Sequence, residues 1–150
     1  MLKSLLIFLT LGSALSGSVQ EGQAPSKGAT AASGTIPAEA VRQVNPVKAT
    51  PESIAQGKKW YGYDCAMCHG KQGDGKGDVV ATMKLKMSDL TTGETLKNKT
   101  DGELFYIIKY GRGEMPPEGE RLKAAELWNL VNYIRSIAQK KAPAEEKAPN

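Results

Sequence analysis

Both cysteines and the only histidine of this 150-residue chain fall in one five-residue window, Cys65-Ala66-Met67-Cys68-His69. No other feature restricts the fold as much. C-x-x-C-H is the attachment spacing of a c-type haem. Two intervening residues let both sulfurs reach the vinyl groups along one porphyrin edge, and the adjacent histidine then presents its imidazole to the iron. A chain that carries such a group covalently has to fold around it. Two other chemistries compete for the same residues. A redox disulfide calls for a preceding strand and a βαβ pattern, and neither is visible. Structural zinc calls for four protein ligands, usually from two separated pairs, and the cysteine and histidine supply here ends at three. The spacing favours one haem c, with thioether bonds from Cys65 and Cys68 and with His69 on the iron.

The length suits one domain with tails. Residues 1–16 read as a secretory signal peptide: Lys3, the apolar run Leu5 to Leu11, then Ala14-Leu15-Ser16, where cleavage is expected. That run is far short of the roughly 20 residues that span a bilayer. No cysteine follows it, so a lipid anchor is unsupported. Membrane attachment would require the segment to be retained. Residues 17–49 are rich in Gly, Ala, Ser, Thr, Pro and Gln with few large apolar side chains, the composition of a flexible leader. Residues 50–138 hold the domain, and 139–150, with Lys140, Lys141, Glu145, Glu146 and Lys147, form a disordered charged tail.

The chain has 20 Lys and Arg against 16 Asp and Glu, but between Thr50 and Ala138 the count is 13 against 12. The basic excess therefore sits in the termini. Nucleic-acid binding would concentrate basic residues and aromatics on one face, and no such cluster exists, so no nucleic-acid partner is expected. Lys58, Lys59, Lys84, Lys86, Lys97, Lys99 and Lys109 either ring a haem edge and steer a partner or are ordinary solvated side chains.

Local signals predict helices and loops. Thr50-Pro51-Glu52 gives a cap followed by proline at the first helical position, opening a helix that runs to about Tyr63. Gly70 to Asp78 is a loop by glycine density, and it lacks the G-x-x-x-x-G-K-[ST] order of a phosphate cradle. Thr100-Asp101-Gly102-Glu103 is a capping box, opening Leu104 to Tyr110, with Gly111 as the stop. From Lys123 to Ala138, Leu127, Leu130, Val131, Ile134 and Ile137 recur at helical spacing on one face.

On these residues the stretch from Glu52 to Ile137 resembles a class I cytochrome c of the short monohaem bacterial kind. Gly57 and Tyr61 match the glycine and aromatic of the family's first helix, and Leu130 and Tyr133 match the leucine and aromatic of its last. Glycine at the crossing lets two backbones approach closely. The resemblance implies a small all-α fold of four to five helices wrapped around one covalently attached haem. It also implies periplasmic localisation, because bacteria attach c-type haem outside the cytoplasm. Gly111-Arg112-Gly113-Glu114-Met115-Pro116-Pro117 matches the family's ligand loop, which implies Met115 as the sixth iron ligand. A neutral thioether favours ferrous iron and raises the potential. Met83 and Met87 are the competing ligands, whereas Met67 cannot reach the other haem face.

Two features depart from the family pattern. No proline lies between His69 and Pro116, so the carbonyl that would accept the imidazole N–H is unassigned. The last helix starts at Lys123, a poor cap. Trp60, Tyr106 and Trp128 are read as packing residues, not propionate donors. The function expected is electron transfer by a soluble periplasmic monomer that shuttles between redox partner proteins, and not enzymatic catalysis. A dedicated subunit of a periplasmic oxidoreductase is the alternative, and a ligand-binding haem sensor is another if the Met115 bond is weak.

Overall fold

A computed structural model describes residues 34–139. Its helices are α1 (Ala38–Val41), α2 (Pro51–Trp60), α3 (Ala66–His69), α4 (Val80–Met83), α5 (Gly93–Leu96), α6 (Asp101–Tyr110) and α7 (Ala124–Gln139), with a π-helical turn at Tyr61–Cys65 between α2 and α3. Only α2, α6 and α7 exceed a single turn, and the described residues contain no strand, only an isolated bridge between Arg112 and Met115. The expected all-α class is therefore observed. The signal segment and the charged tail beyond residue 139 lie outside the described residues.

The predicted starts of α2 and α6 are present with their chemistry. Thr50 accepts the Ser53 N–H at 3.2 Å with Pro51 at the first helical position. Thr100 and Glu103 close a reciprocal box, the Glu103 carboxylate taking the Thr100 N–H at 2.6 Å. α7 solves its poor cap differently. The side chain of Glu126 reaches back to the Lys123 N–H at 2.7 Å, which is half of a capping box without the hydroxyl.

α2 and α7 cross at Gly57. A Cβ there would overlap the Asn129 carbonyl and stand 2.8 Å from the Tyr133 Cβ. The Tyr61 ring packs at a tilt against Tyr133 one turn further on, with ring centroids 5.1 Å apart, and Leu130 is fully buried. The crossing expected at Gly57, Tyr61, Leu130 and Tyr133 is thus the central contact. Leu104, Phe105 and Ile108 of α6 complete the core against Leu127, Trp128 and Val131 of α7. Trp128 lies flat on Phe105, 4.1 Å between centroids, a packing role as expected.

The expected flexible leader over 17–49 needs correction where it is described. Within residues 38–49, Ala40, Val41, Asn45 and Val47 meet the domain, while Val44 and most of the others are exposed. Ala40 is buried, and its carbonyl together with that of Gln43 occupies the space where a Cβ on Gly102 would sit. Thr100 Oγ1 donates to the Val41 carbonyl at 2.8 Å. Asn45 Nδ2 donates to Asn132 Oδ1 at 2.8 Å, and Asn132 Nδ2 donates in turn to the Val47 carbonyl and to Ser53 Oγ. This strap contributes through backbone carbonyls and amides, which leave little trace in composition.

Candidate haem site

The rod that begins as α2 does not stop at Tyr63, as expected from sequence. It widens into the π-turn and continues as α3 to His69. Single π-turns inside helices cluster at functional positions. Here the turn ends at Cys65, so Cys65, Cys68 and His69 emerge from one short helical stretch. Both cysteines are free thiols, half-buried, and Cys65 rests on the apolar core. Burial, reinforced by Glu118, Asp64 and Cys68, pushes the Cys65 thiol up to about 12, so it is held protonated. The described residues contain no group of three or more His, Cys, Asp and Glu able to hold a metal ion.

His69 is the last residue of α3. Burial lowers its pKa, which keeps the imidazole neutral with a lone pair free for a metal. Its Nδ1 is buried and has no hydrogen-bond partner among the described residues. The acceptor left unassigned in the sequence is not supplied by any described residue. The neighbouring carbonyls are taken up by the glycine loop. Gly75 N–H bonds to the His69 carbonyl at 2.9 Å, Gly77 N–H to that of Cys68 at 3.3 Å and Val79 N–H to that of Met67 at 3.3 Å. Gly70, Gly73 and Gly75 all take positive φ, which lets the loop fold back over the helix end. Tyr61, read from sequence only as a packing residue, also sends its hydroxyl to the Gly70 carbonyl at 2.9 Å.

Met115 sits in a tight turn. Arg112 and Met115 exchange two backbone hydrogen bonds of 3.0 Å, and Gly111 and Gly113 supply the left-handed φ values that the turn requires. The side chain is half-buried against the same apolar core that carries Cys65. Of its competitors, Met83 is 60% exposed and Met87 lies along the loop that follows His69, its carbonyl 3.3 Å from where a Cβ on Gly75 would be. A half-buried neutral imidazole, two thiols one helical turn apart and a turn-bound thioether make a donor set that fits haem c.

One charged cluster adjoins Cys65 that the sequence did not reveal. Arg121 pairs with Asp64 and, at 3.2 Å from Nε to Oε2, with Glu118. Both carboxylates are nearly buried, with side chains 8% and 9% exposed. Asp64 Oδ2 has no hydrogen-bond partner, and Glu118 Oε2 is not aligned for one. Of the lysines named above, Lys97 pairs with Glu94, Lys109 lies over Tyr110 at 5.0 Å and Lys59 over Trp60 at 5.8 Å. Two open hollows of about 470 Å³, one along Ala55, Lys58, Lys59, Gly62 and Tyr63 and one beside Thr35, Lys99 and Arg112, include none of the donor residues.

Comparison with known proteins agrees with this geometry. A family described as cytochrome c oxidase, cbb3-type, subunit III matches residues 52–134. The chain is 29% identical over 101 residues to the CcoP subunit of a cbb3-type cytochrome c oxidase from Azospirillum brasilense, covering 67% of this chain and 34% of that protein. It is 32% identical over 88 residues to a cytochrome c6 from a Synechococcus species, covering 58% of this chain and 72% of that one. Among solved structures, a chain of the reducing HAO-like protein complex of Kuenenia stuttgartiensis superposes with a TM-score of 0.56 at 29% identity, covering 63% of this chain and 47% of that one. The chain thus spans about a third of the length of its CcoP relative.

Proposed function

The chain belongs to the c-type cytochromes, in the family of subunit III of cbb3-type cytochrome c oxidase, and on that premise we propose that it is a periplasmic carrier of single electrons with His69 and Met115 as the axial iron ligands. Haem c, the cofactor of this family, supplies a one-electron ferric–ferrous couple. Cys65 and Cys68 hold it through thioether bonds, so a small domain keeps its cofactor through dilution and exchange of partners. His69, neutral in its buried setting, offers an imidazole nitrogen to the iron. Met115 would offer a thioether to the iron, and the Arg112–Met115 bridge fixes the backbone that carries it. With His69 and Met115 both on the iron there would be no open position for a substrate, which favours a carrier over an enzyme.

The observation that carries this reading is that Cys65 and Met115, remote in sequence, rest on one apolar cluster. Export rests on the apolar run Leu5 to Leu11. Among the described residues no helix is long and apolar enough to cross a membrane. The test is a visible spectrum of both oxidation states together with acid–acetone extraction. The expected result is a sharp ferrous α band of the c type, a ferric charge-transfer band from the thioether, and haem that stays with the protein. Extractable haem would overturn the attachment, and a high-spin ferrous spectrum would overturn the ligation.

A second reading is a dedicated subunit of an oxidoreductase. It is favoured by the relatives, since one is an oxidase subunit and another belongs to a multi-protein complex. Co-purification with a stoichiometric partner distinguishes it from a free shuttle.

A further inference from the structure

We propose that Glu118, set beside Asp64 and Arg121, is a proton-exchange site linked to the oxidation state of the haem carried on Cys65. The inference rests on the haem attachment argued above, but not on which methionine ligates the iron. Two nearly buried carboxylates face a single guanidinium, leaving one negative charge uncompensated, and the Asp64 Oδ2 and Glu118 Oε2 atoms lack aligned donors. Unpaired buried charge is costly, and a proton on Glu118 removes it. Burial first, and then Asp64, raises the pKa of Glu118, while Arg121 opposes them.

Position makes this charge relevant to the iron. Asp64 precedes Cys65 in the π-turn, and both carboxylates act electrostatically on the Cys65 sulfur. The vinyl-derived edge held by that sulfur lies across the porphyrin from the propionates, so this cluster is distinct from the propionate charges. The groups that face the pair can be named. The π-turn contributes Asp64 and Cys65, whose sulfur is a neutral thioether in the holoprotein, and the loop before α7 contributes Glu118 and Arg121. α6 approaches through the Ile108 carbonyl, which accepts the Glu118 N–H at 2.9 Å, and through Lys109, whose ammonium is turned onto the Phe105 and Tyr110 rings. Arg121 is 59% exposed and opens the pair to water, so protons have a route.

Reduction removes one positive charge from the iron centre. The adjacent Glu118 then holds its proton more tightly. The balanced step is ferric iron with a Glu118 carboxylate, plus one electron from a donor and one proton from water, giving ferrous iron with a Glu118 carboxylic acid. Glu118 takes up the proton, and the electron goes to the iron.

The test is spectroelectrochemical titration of the holoprotein from acid to mildly alkaline pH, with proton uptake on reduction followed in weak buffer. The wild-type potential is expected to fall with rising pH within one window and to level off on either side. Glu118→Gln is expected to remove that window and its proton uptake. A window that titrates at the propionates would persist in this variant and would overturn the proposal. Asp64→Asn and Arg121→Gln add a signature that general damage does not produce. Loss of a neighbouring anion moves the window to lower pH, and loss of the guanidinium moves it to higher pH. Shifts of both variants in one direction would overturn the proposal, as would a flat wild-type potential. Haem staining after denaturing electrophoresis reports the attachment separately, so failure of the haem reading is distinguishable from failure of the proton site.

Discussion

The hydroxyl of Tyr61 donates a 2.9 Å hydrogen bond to the carbonyl of Gly70, the residue directly after His69. Burial raises the tyrosine pKa, so this donor keeps its proton at any working pH. The bond ties the base of the π-turn to the loop that folds over the histidine. Gly70 O also accepts the Gly73 N–H at 3.0 Å, so it is not orphaned when the hydroxyl is removed. Tyr61→Phe should therefore cost about 1 kcal/mol, the ordinary net worth of one hydrogen bond. Tyr61→Ala also loses the ring packed on Tyr133 and should cost about 3–5 kcal/mol. Chemical denaturation of the holoprotein checks both, and equal costs would show that the hydroxyl contributes nothing.

Gly57 and Gly62 lie on the same rod and should respond oppositely to alanine. At Gly57 the added Cβ meets the Asn129 carbonyl, a backbone atom that cannot rotate away, so α2 and α7 must separate. Overpacking of this kind costs about 1–3 kcal/mol or more. At Gly62 nothing lies within 4 Å and φ is not positive, so alanine should be neutral or stabilise by up to about 1 kcal/mol through helix propensity. Thermal denaturation of the two variants side by side measures the difference.

Much of this was legible in the chain because it is local. Thr50-Pro51 and the Thr100–Glu103 box announce two helices, and the spacing of Leu127, Leu130, Val131, Ile134 and Ile137 announces the third. Cys65, Cys68 and His69 are brought together by sequence itself. What stayed hidden depends on distant parts meeting. The π-turn at Tyr61 to Cys65 has no sequence mark. The strap over 38–49 binds through carbonyls that composition does not register. Asp64 and Glu118 become neighbours only because Arg121 reaches both.

Thr100 serves two partners. Its side chain caps α6 by accepting the Glu103 N–H at 3.1 Å, and its hydroxyl donates to the Val41 carbonyl in the strap. Thr100→Ala should cost about 1–2 kcal/mol, at the upper end of a cap deletion. Hydrogen exchange should quicken at the first turn of α6 and in residues 38–43 together. Exchange that changes only in α6 would separate the strap from the cap.

Met115→Ala tests the ligand assignment against Met83 and Met87. Loss of a thioether should lower the reduction potential, abolish the thioether charge-transfer band and open the iron to carbon monoxide. Met83→Ala and Met87→Ala should leave all three readouts unchanged, since Met83 is largely exposed and Met87 lies along the loop after His69. Loss of the band in either of those variants would reassign the ligand.

Glu118 also makes stability depend on pH with a definite sign. Its folded pKa lies above the ordinary carboxyl value of 4.5, so the folded state binds the proton more tightly than the unfolded chain does. Its contribution is fully present below the unfolded value and is lost as pH rises through the raised folded value. Relative to Glu118→Gln, which stays neutral throughout, the wild type should therefore lose stability across that window and remain lower above it. Arg121 offsets part of this loss, because its guanidinium attracts the ionised carboxylate. Arg121→Gln should consequently deepen the decline and carry it to higher pH. Denaturant midpoints of the ferric holoproteins at a series of pH values measure the difference between variants, and a constant offset between wild type and Glu118→Gln would show that Glu118 titrates alike in the folded and unfolded states.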